Sequence, residues 1–309
     1  MSTDDHALPP NLPEPPEPPK DFEAAPQSIE AAVVGDPFQS SHVPPAGEPP
    51  HFSKRALPDD LRVPWDWIDI ALLVALTIGG SAVVGVLIAT ALKLTGVSLA
   101  TLGKSPGTMS VLAIVGQMLL DLGVLAYLAA QMRLRFDAPF WRTIGWRPME
   151  TRSGRAFAYL ALILGGFALA AIVAVAEAAF PPKHPLPIQA ITQSPHAALL
   201  FMLTAVLVAP VVEETVFRGY LYPVAARSFG VGMGIVITGT LFGLLHARQL
   251  WGGWWQIALL VIVGIVFTIA RAATRTVVAS YILHASYNAL PVIAALLSSV
   301  KVRHVLSLH

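Results

Sequence analysis

Six polar residues stand in otherwise apolar sequence in the last third of this 309-residue chain: Glu213, Glu214, Arg218, His246, His284 and Asn288. A charged side chain at the centre of a membrane helix costs about 2.5–3.5 kcal/mol on insertion scales. Three such charges crowded into one apolar segment must therefore neutralise one another, line a wet cavity or do chemistry. Glu214 and Arg218 are at i, i+4 on one helical face and can pair. Glu213 points about 100° away from Glu214, so one acid is braced by the arginine and its neighbour faces something else. His246 closes an apolar run and can exchange a proton near neutral pH or ligate a metal. His284 and Asn288, again at i, i+4, project from one face. An imidazole N–H and an amide N–H there could donate to a single oxygen, as an oxyanion site in a water-poor pocket requires, and one such donor contributes about 3–4 kcal/mol. Plain helix–helix hydrogen bonds, worth about 0.6 kcal/mol in membranes, suit the same spacing, and the acidic trio also suits an interfacial charge cluster with no task.

The elements that must position these residues are membrane helices. The chain is 55% hydrophobic and 13% charged, with a mean hydropathy of +0.63, against about 25% charged for an average soluble domain. Apolar stretches of transmembrane length follow residue 66. The pattern predicts an all-α fold, a polytopic bundle in residues 64–309. Its spans run over 68–92, 109–132, 156–180, 197–222, 230–245, 254–270 and 277–297, seven in all, or eight if the fourth divides at Pro210. Residues 1–63, rich in Pro-Pro pairs with Glu, Asp and Ser, read as a disordered tail. All seven tryptophans fall at or beyond span ends, where an aromatic belt would put them. Gly230, Gly234, Gly239 and Gly243 give the fifth span small-residue faces that suit close helix packing. Cysteine is absent, which removes disulfides and thiolate chemistry. No basic cluster suggests nucleic acid.

Arg133, Arg135, Arg142, Arg147, Arg152 and Arg155 crowd the connection after the second span. The positive-inside rule places that connection and the N-terminal tail in the cytoplasm. Gln117, Asp121 and Glu177 are read as bland, with no partner at a recognisable spacing. One geometric tension stands out. If the fourth span ends near Tyr222, Glu213 lies roughly 14 Å from its cytoplasmic end while His246 lies roughly 20 Å or more from the same side.

Taken in order, Glu213-Glu214-x-x-x-Arg218, Phe242-x-x-x-His246 and His284-x-x-x-Asn288 resemble the three-motif signature of the CPBP intramembrane proteases. That family includes the CAAX prenyl endopeptidases and bacterial members once grouped as abortive-infection proteins. The resemblance covers about residues 140–298 and takes in Ile144-Gly145-Trp146-Arg147, Arg218-Gly219 and the stretch from Gly264 to His284. It implies a metal-independent glutamic endopeptidase without cofactor, in the inner (plasma) membrane, acting on a membrane-associated protein or peptide. Transferred position by position, Glu213 would activate water, His246 would share and hold it, Glu214 with Arg218 would brace the site, and His284 with Asn288 would stabilise the oxyanion. The pocket is expected to open toward the cytoplasm.

Two other readings compete. Glu213, His246 and His284 are a plausible open ligand set for a catalytic zinc, although no H-E-x-x-H helix is present. The polar cluster could also bind a partner helix in a non-catalytic scaffold or regulator. A transporter would need an internal repeat, and none is visible.

Overall fold

The computed structural model describes residues 58–97, 102, 106–151, 154–189 and 194–306. Helices dominate, and no strand occurs among the described residues. Six helices are long and apolar enough to cross a membrane: α1 (Trp67–Leu94), α2 (Pro106–Leu134), α4 (Arg155–Ala179), α5 (Pro195–Phe229), α7 (Trp254–Thr274) and α8 (Val277–Leu306). The short α3 (Phe140–Ile144) lies between α2 and α4, and α6 (Val231–Leu245) is a shorter apolar helix between α5 and α7. The chain is a multi-pass membrane protein. Large apolar side chains such as Val86, Leu87, Ile172 and Val175 face outward, while Glu214, Arg218, Thr268, Arg271 and His284 are buried. The buried polar groups are gathered inside an otherwise apolar core, and the outer face is apolar as well, as a bilayer solvent demands.

The fourth span does not divide. α5 runs unbroken for 35 residues, through two π-helical stretches, Thr204–Val208 and Thr215–Leu221. Each stretch ends just ahead of a proline, Pro210 and Pro223. A proline lacks an N–H and its ring clashes with the carbonyl four residues back. Widening the turn before it satisfies the ladder at i−5, as Ala209 N–H does on Thr204 O and Tyr222 N–H on Phe217 O. The proline expected to break the helix is absorbed by a local change of pitch.

Gly230, at φ 85°, turns the chain directly from α5 into α6. The two helices then run as an antiparallel hairpin in which Gly234 lies against Ala226, so that an added Cβ would stand 2.7 Å from its Cα. Farther along, Gly239 and Gly243 lie against the backbones of Ile265 and Val261 on α7, where a Cβ would meet main-chain nitrogens at 2.5 and 2.7 Å. The glycine faces are contact surfaces. α4 packs on α8 in the same way through Gly166, which sits against Leu283 O.

The segment before α1 belongs to the core and not to the tail expected over residues 1–63. Asp59–Leu61 form a 3-10 turn with Leu61 buried, and Arg227 clasps the carbonyls of Val63 and Trp65 at 2.8 and 2.9 Å. The rest of the expected tail lies outside the described residues. Trp65 is likewise no belt residue. It is fully buried, stacks on Tyr220 at 5.0 Å and donates its indole N–H to Tyr220 O. Trp67, Trp141, Trp251, Trp254 and Trp255 are exposed, as a belt requires.

Candidate active site

Glu214 and Arg218 lie along the junction between the α-helical Ala209–Glu214 stretch and the second π stretch of α5. Both are fully buried, and Arg218 Nη1 donates to Glu214 Oε1 at 2.8 Å. α7 takes the rest of the guanidinium: Nη2 donates to Gly264 O at 2.7 Å and Nε to Thr268 Oγ1 at 3.2 Å. Thr268 Oγ1 itself donates to Gly264 O. Phe242 on α6 covers the cation, its ring centroid 4.4 Å from Arg218 Cζ, with Phe267 at 5.4 Å. A desolvated cation–π contact contributes about 2 kcal/mol or more, and every donor-bearing nitrogen of the arginine has a partner. Its geometry is fixed from two helices and an aromatic face.

Glu214 Oε1 also receives His284 Nδ1 at 2.9 Å. A carboxylate paired with arginine can only accept, so Nδ1–H is the donor and Nε2 points onward. Nε2 points at Glu213, 3.8 Å from its Oε2. From the other side His246 Nε2 stands 3.8 Å from Glu213 Oε1. His246 Nδ1 lies 2.9 Å from Phe242 O, and since a carbonyl only accepts, Nδ1 carries the hydrogen and the neutral ring offers a lone pair at Nε2. Phe267 stacks on His284 at 4.6 Å, and Phe242 touches both imidazoles. Glu213 keeps 22% of its side chain accessible, against 4% for His284 and none for Glu214. The two adjacent acids thus have opposite surroundings: one is locked, and one is free between two imidazoles.

The depth mismatch expected for His246 is absent. α5 ends at Phe229, not near Tyr222, and turns at once at Gly230. Glu213 and His246 stand at nearly equal sequence distances on either side of that glycine, each roughly 25 Å along its helix at 1.5 Å per residue. An antiparallel hairpin brings them level.

Asn288 takes a different partner from His284. Its Nδ2 donates to Ala205 O in the first π stretch, at 2.8 Å, so one amide hydrogen pins α8 to α5 and a second remains. Gln117 and Asp121, read from the sequence as partnerless, bond to each other at 2.7 Å. Their i, i+4 spacing on α2 was a legible signal. Thr268 and Phe267 were missed altogether. The clue to Thr268 was a lone hydroxyl four residues after Gly264 in an apolar helix.

The element Ile144-Gly145-Trp146-Arg147 is wired to the site. Trp146 Nε1 donates to Thr215 Oγ1 at 2.9 Å, one residue beyond Glu214. Gly145 O accepts Val277 N–H at 2.9 Å at the start of α8, and Gly219 is pressed against Ile144 so closely that a Cβ would meet Ile144 Cγ2 at 2.3 Å. A cavity of about 170 Å³ adjoins His246, walled by Val173, Leu259 and Leu260 and edged by Glu177, Gln256 and Tyr287. Among the described residues, no group of three His, Cys, Asp or Glu is placed to hold a metal ion.

Residues 195–290 match the family described as type II CAAX prenyl endopeptidase, Rce1-like. This segment is an Rce1-like domain. It is accordingly the domain of a peptide-bond hydrolase, and it contains all six polar residues of the site. No curated protein and no solved structure matches the chain. The Rce1-like domain begins at the N-terminus of α5 and ends within α8, so α1–α4 pack around it as additional helices.

Proposed function

We propose that this Rce1-like domain is a glutamate-type intramembrane endopeptidase in which Glu213 is the general base. The observation that carries the reading is the Glu213 carboxylate held open between two imidazole Nε2 atoms, 3.8 Å on each side, while Glu214 is locked by Arg218. Such a gap exceeds a direct hydrogen bond and suits a bridging water. A water there donates one hydrogen to Glu213 and the other to the lone pair of His246 Nε2. Its oxygen attacks the scissile carbonyl as Glu213 accepts the proton, which then passes to the leaving amine. The tetrahedral oxyanion is met by the free N–H of Asn288 and, in its imidazolium form, by His284 Nε2–H. The bond from Asn288 to Ala205 O holds that amide in advance of the reaction, which is what makes such donors effective.

The substrate is a membrane-associated protein or peptide, and the apolar cavity beside His246 receives one of its side chains. That cavity sits where α4 ends and α7 begins, at the end of the bundle remote from the Arg-rich connection. With that connection in the cytoplasm of an inner-membrane protein, the pocket opens on the far face, opposite to the expectation from sequence. The turn that follows α6 at Leu245 lines this opening, with His246, Gln249 and Leu250 on its wall.

The test is cleavage by purified full-length protein in liposomes, using prenylated and unprenylated C-terminal peptide probes, together with a comparison of membrane proteomes for uncleaved species. Glu213→Gln should abolish hydrolysis by at least 10³-fold with unchanged thermal unfolding, and full activity in that variant would overturn the assignment. A strong chelator should leave the rate unchanged. Loss restored by zinc would instead make Glu213, His246 and His284 metal ligands.

A further inference from the structure

At the opposite end of the bundle from the catalytic pocket lies a second cavity, of about 100 Å³. Four arginines, Arg62, Arg147, Arg271 and Arg275, line it together with Asp59 and Asp60. Two of the cations are spoken for. Asp60 Oδ2 holds Arg271 Nη1 at 2.7 Å, and Asp59 meets Arg62 at 3.4 Å in an exposed pair. Arg147 and Arg275 have no carboxylate partner among the described residues, so the cavity carries an excess of two positive charges.

Two buried atoms there also lack partners. Arg271 is 1% exposed, yet among the described residues its Nε has no acceptor and Asp60 Oδ1 no donor. A buried polar atom left unpaired is costly, and a native structure that keeps two in one cavity calls for an explanation. The free edge of Arg271 faces Gly145, which lines the same cavity. A Cβ on that residue would stand 3.6 Å from Arg271 Nη2 and 3.8 Å from Nε. Glycine therefore clears the approach to the guanidinium edge, and its φ of 99° keeps a side chain from being built there without strain. A guanidinium edge matches the oxygens of a phosphate.

We propose that this cavity binds a phosphate group carrying a nearby hydroxyl. The phosphate oxygens are held by Arg271, Arg147 and Arg275, and the hydroxyl donates to Asp60 Oδ1. Both a phosphatidylglycerol headgroup and hydrogen phosphate have this chemistry. Trp141, half exposed on the adjoining α3, marks headgroup level and puts the cavity where a lipid phosphate resides.

The experiment is thermal unfolding of the full chain in detergent, titrated with short-chain phosphatidylglycerol, with short-chain phosphatidylcholine, with inorganic phosphate, and with chloride at matched ionic strength. Wild type should gain about 5 °C in Tm at a hundredfold excess over Kd, with no gain from phosphatidylcholine or chloride. A gain from phosphatidylglycerol alone identifies a lipid headgroup, and a gain from inorganic phosphate identifies the free ion. Arg147→Gln with Arg275→Asn should raise the half-saturating concentration at least tenfold. Arg133→Gln, an exposed arginine elsewhere, should not. Should the double variant unfold without ligand, Arg275→Asn alone serves, since asparagine tolerates the left-handed φ of 58° at that position. No gain from either anion, or an unchanged half-saturation in the variants, overturns the proposal.

Discussion

Two adjacent glutamates show how far a single residue's role depends on its neighbours. Glu214 and Arg218 form a closed unit whose spacing was plain in the sequence. Removing one partner leaves the other charged and unpaired in the interior, which costs about 3–5 kcal/mol. Arg218→Ala should lower unfolding stability by that much, read by denaturant titration in detergent, whereas Glu213→Gln, at a partly open position, should not. Asn288→Ala should reduce kcat about 10²–10³-fold while changing stability by roughly 0.6–1.7 kcal/mol, the worth of a helix–helix hydrogen bond. Retained kcat would reduce Asn288 to a pin between α8 and α5. The i, i+4 pairs and the division of the two acids were legible because helical spacing fixes direction. The partners of His284 and Asn288 were not, because each lies more than 65 residues away on another helix. Phe267 escaped notice because a lone phenyl in an apolar run has nothing local to betray it, and the clue to Thr268, its hydroxyl four residues after Gly264, did not name Arg218 as partner.

Among the elements, α6 decides the site, because His246 caps its C-terminus and the helix touches α7 through glycines. Gly239→Ala would drive a Cβ to 2.5 Å from Ile265 N. It should cost about 1–3 kcal/mol and lower the cleavage rate through displacement of His246. Gly232→Ala, where a Cβ meets nothing within 4 Å, should be neutral or stabilise by up to about 1 kcal/mol. Paired melting curves and rates distinguish local crowding from loss of glycine as such. The sequence announced seven spans, and an apolar helix occurs at each expected place, six of them long enough to cross a membrane and the fifth, α6, shorter. What it could not announce was the end of α5, because the π-helical turns that carry the helix past Pro210 and Pro223 leave no periodic trace.

On the scale of the molecule, buried polar ties hold the helices that flank the Rce1-like domain. Asp69 on α1 accepts from Gln131 on α2 at 2.9 Å and pairs with Arg135 just past the end of α2, and Gln131 Oε1 accepts from Tyr220 on α5 at 2.6 Å. Asp69→Ala should therefore loosen α1 and α2 from the domain, seen as faster limited proteolysis of the α2–α4 connection with less effect on residual cleavage activity than Arg218→Ala. The sequence foretold a helical bundle but not these ties, since Asp69, Gln131 and Tyr220 are joined only by folding. α6 has 15 residues, about 22 Å of helix, whereas a bilayer's hydrocarbon layer is about 30 Å thick. Lipid against this helix must thin, or else bury the turn after His246, and either response carries hydrophobic mismatch energy. The protein should accordingly sense acyl-chain length, cleaving faster in bilayers of shorter lipids, where the strain beside His246 is relieved.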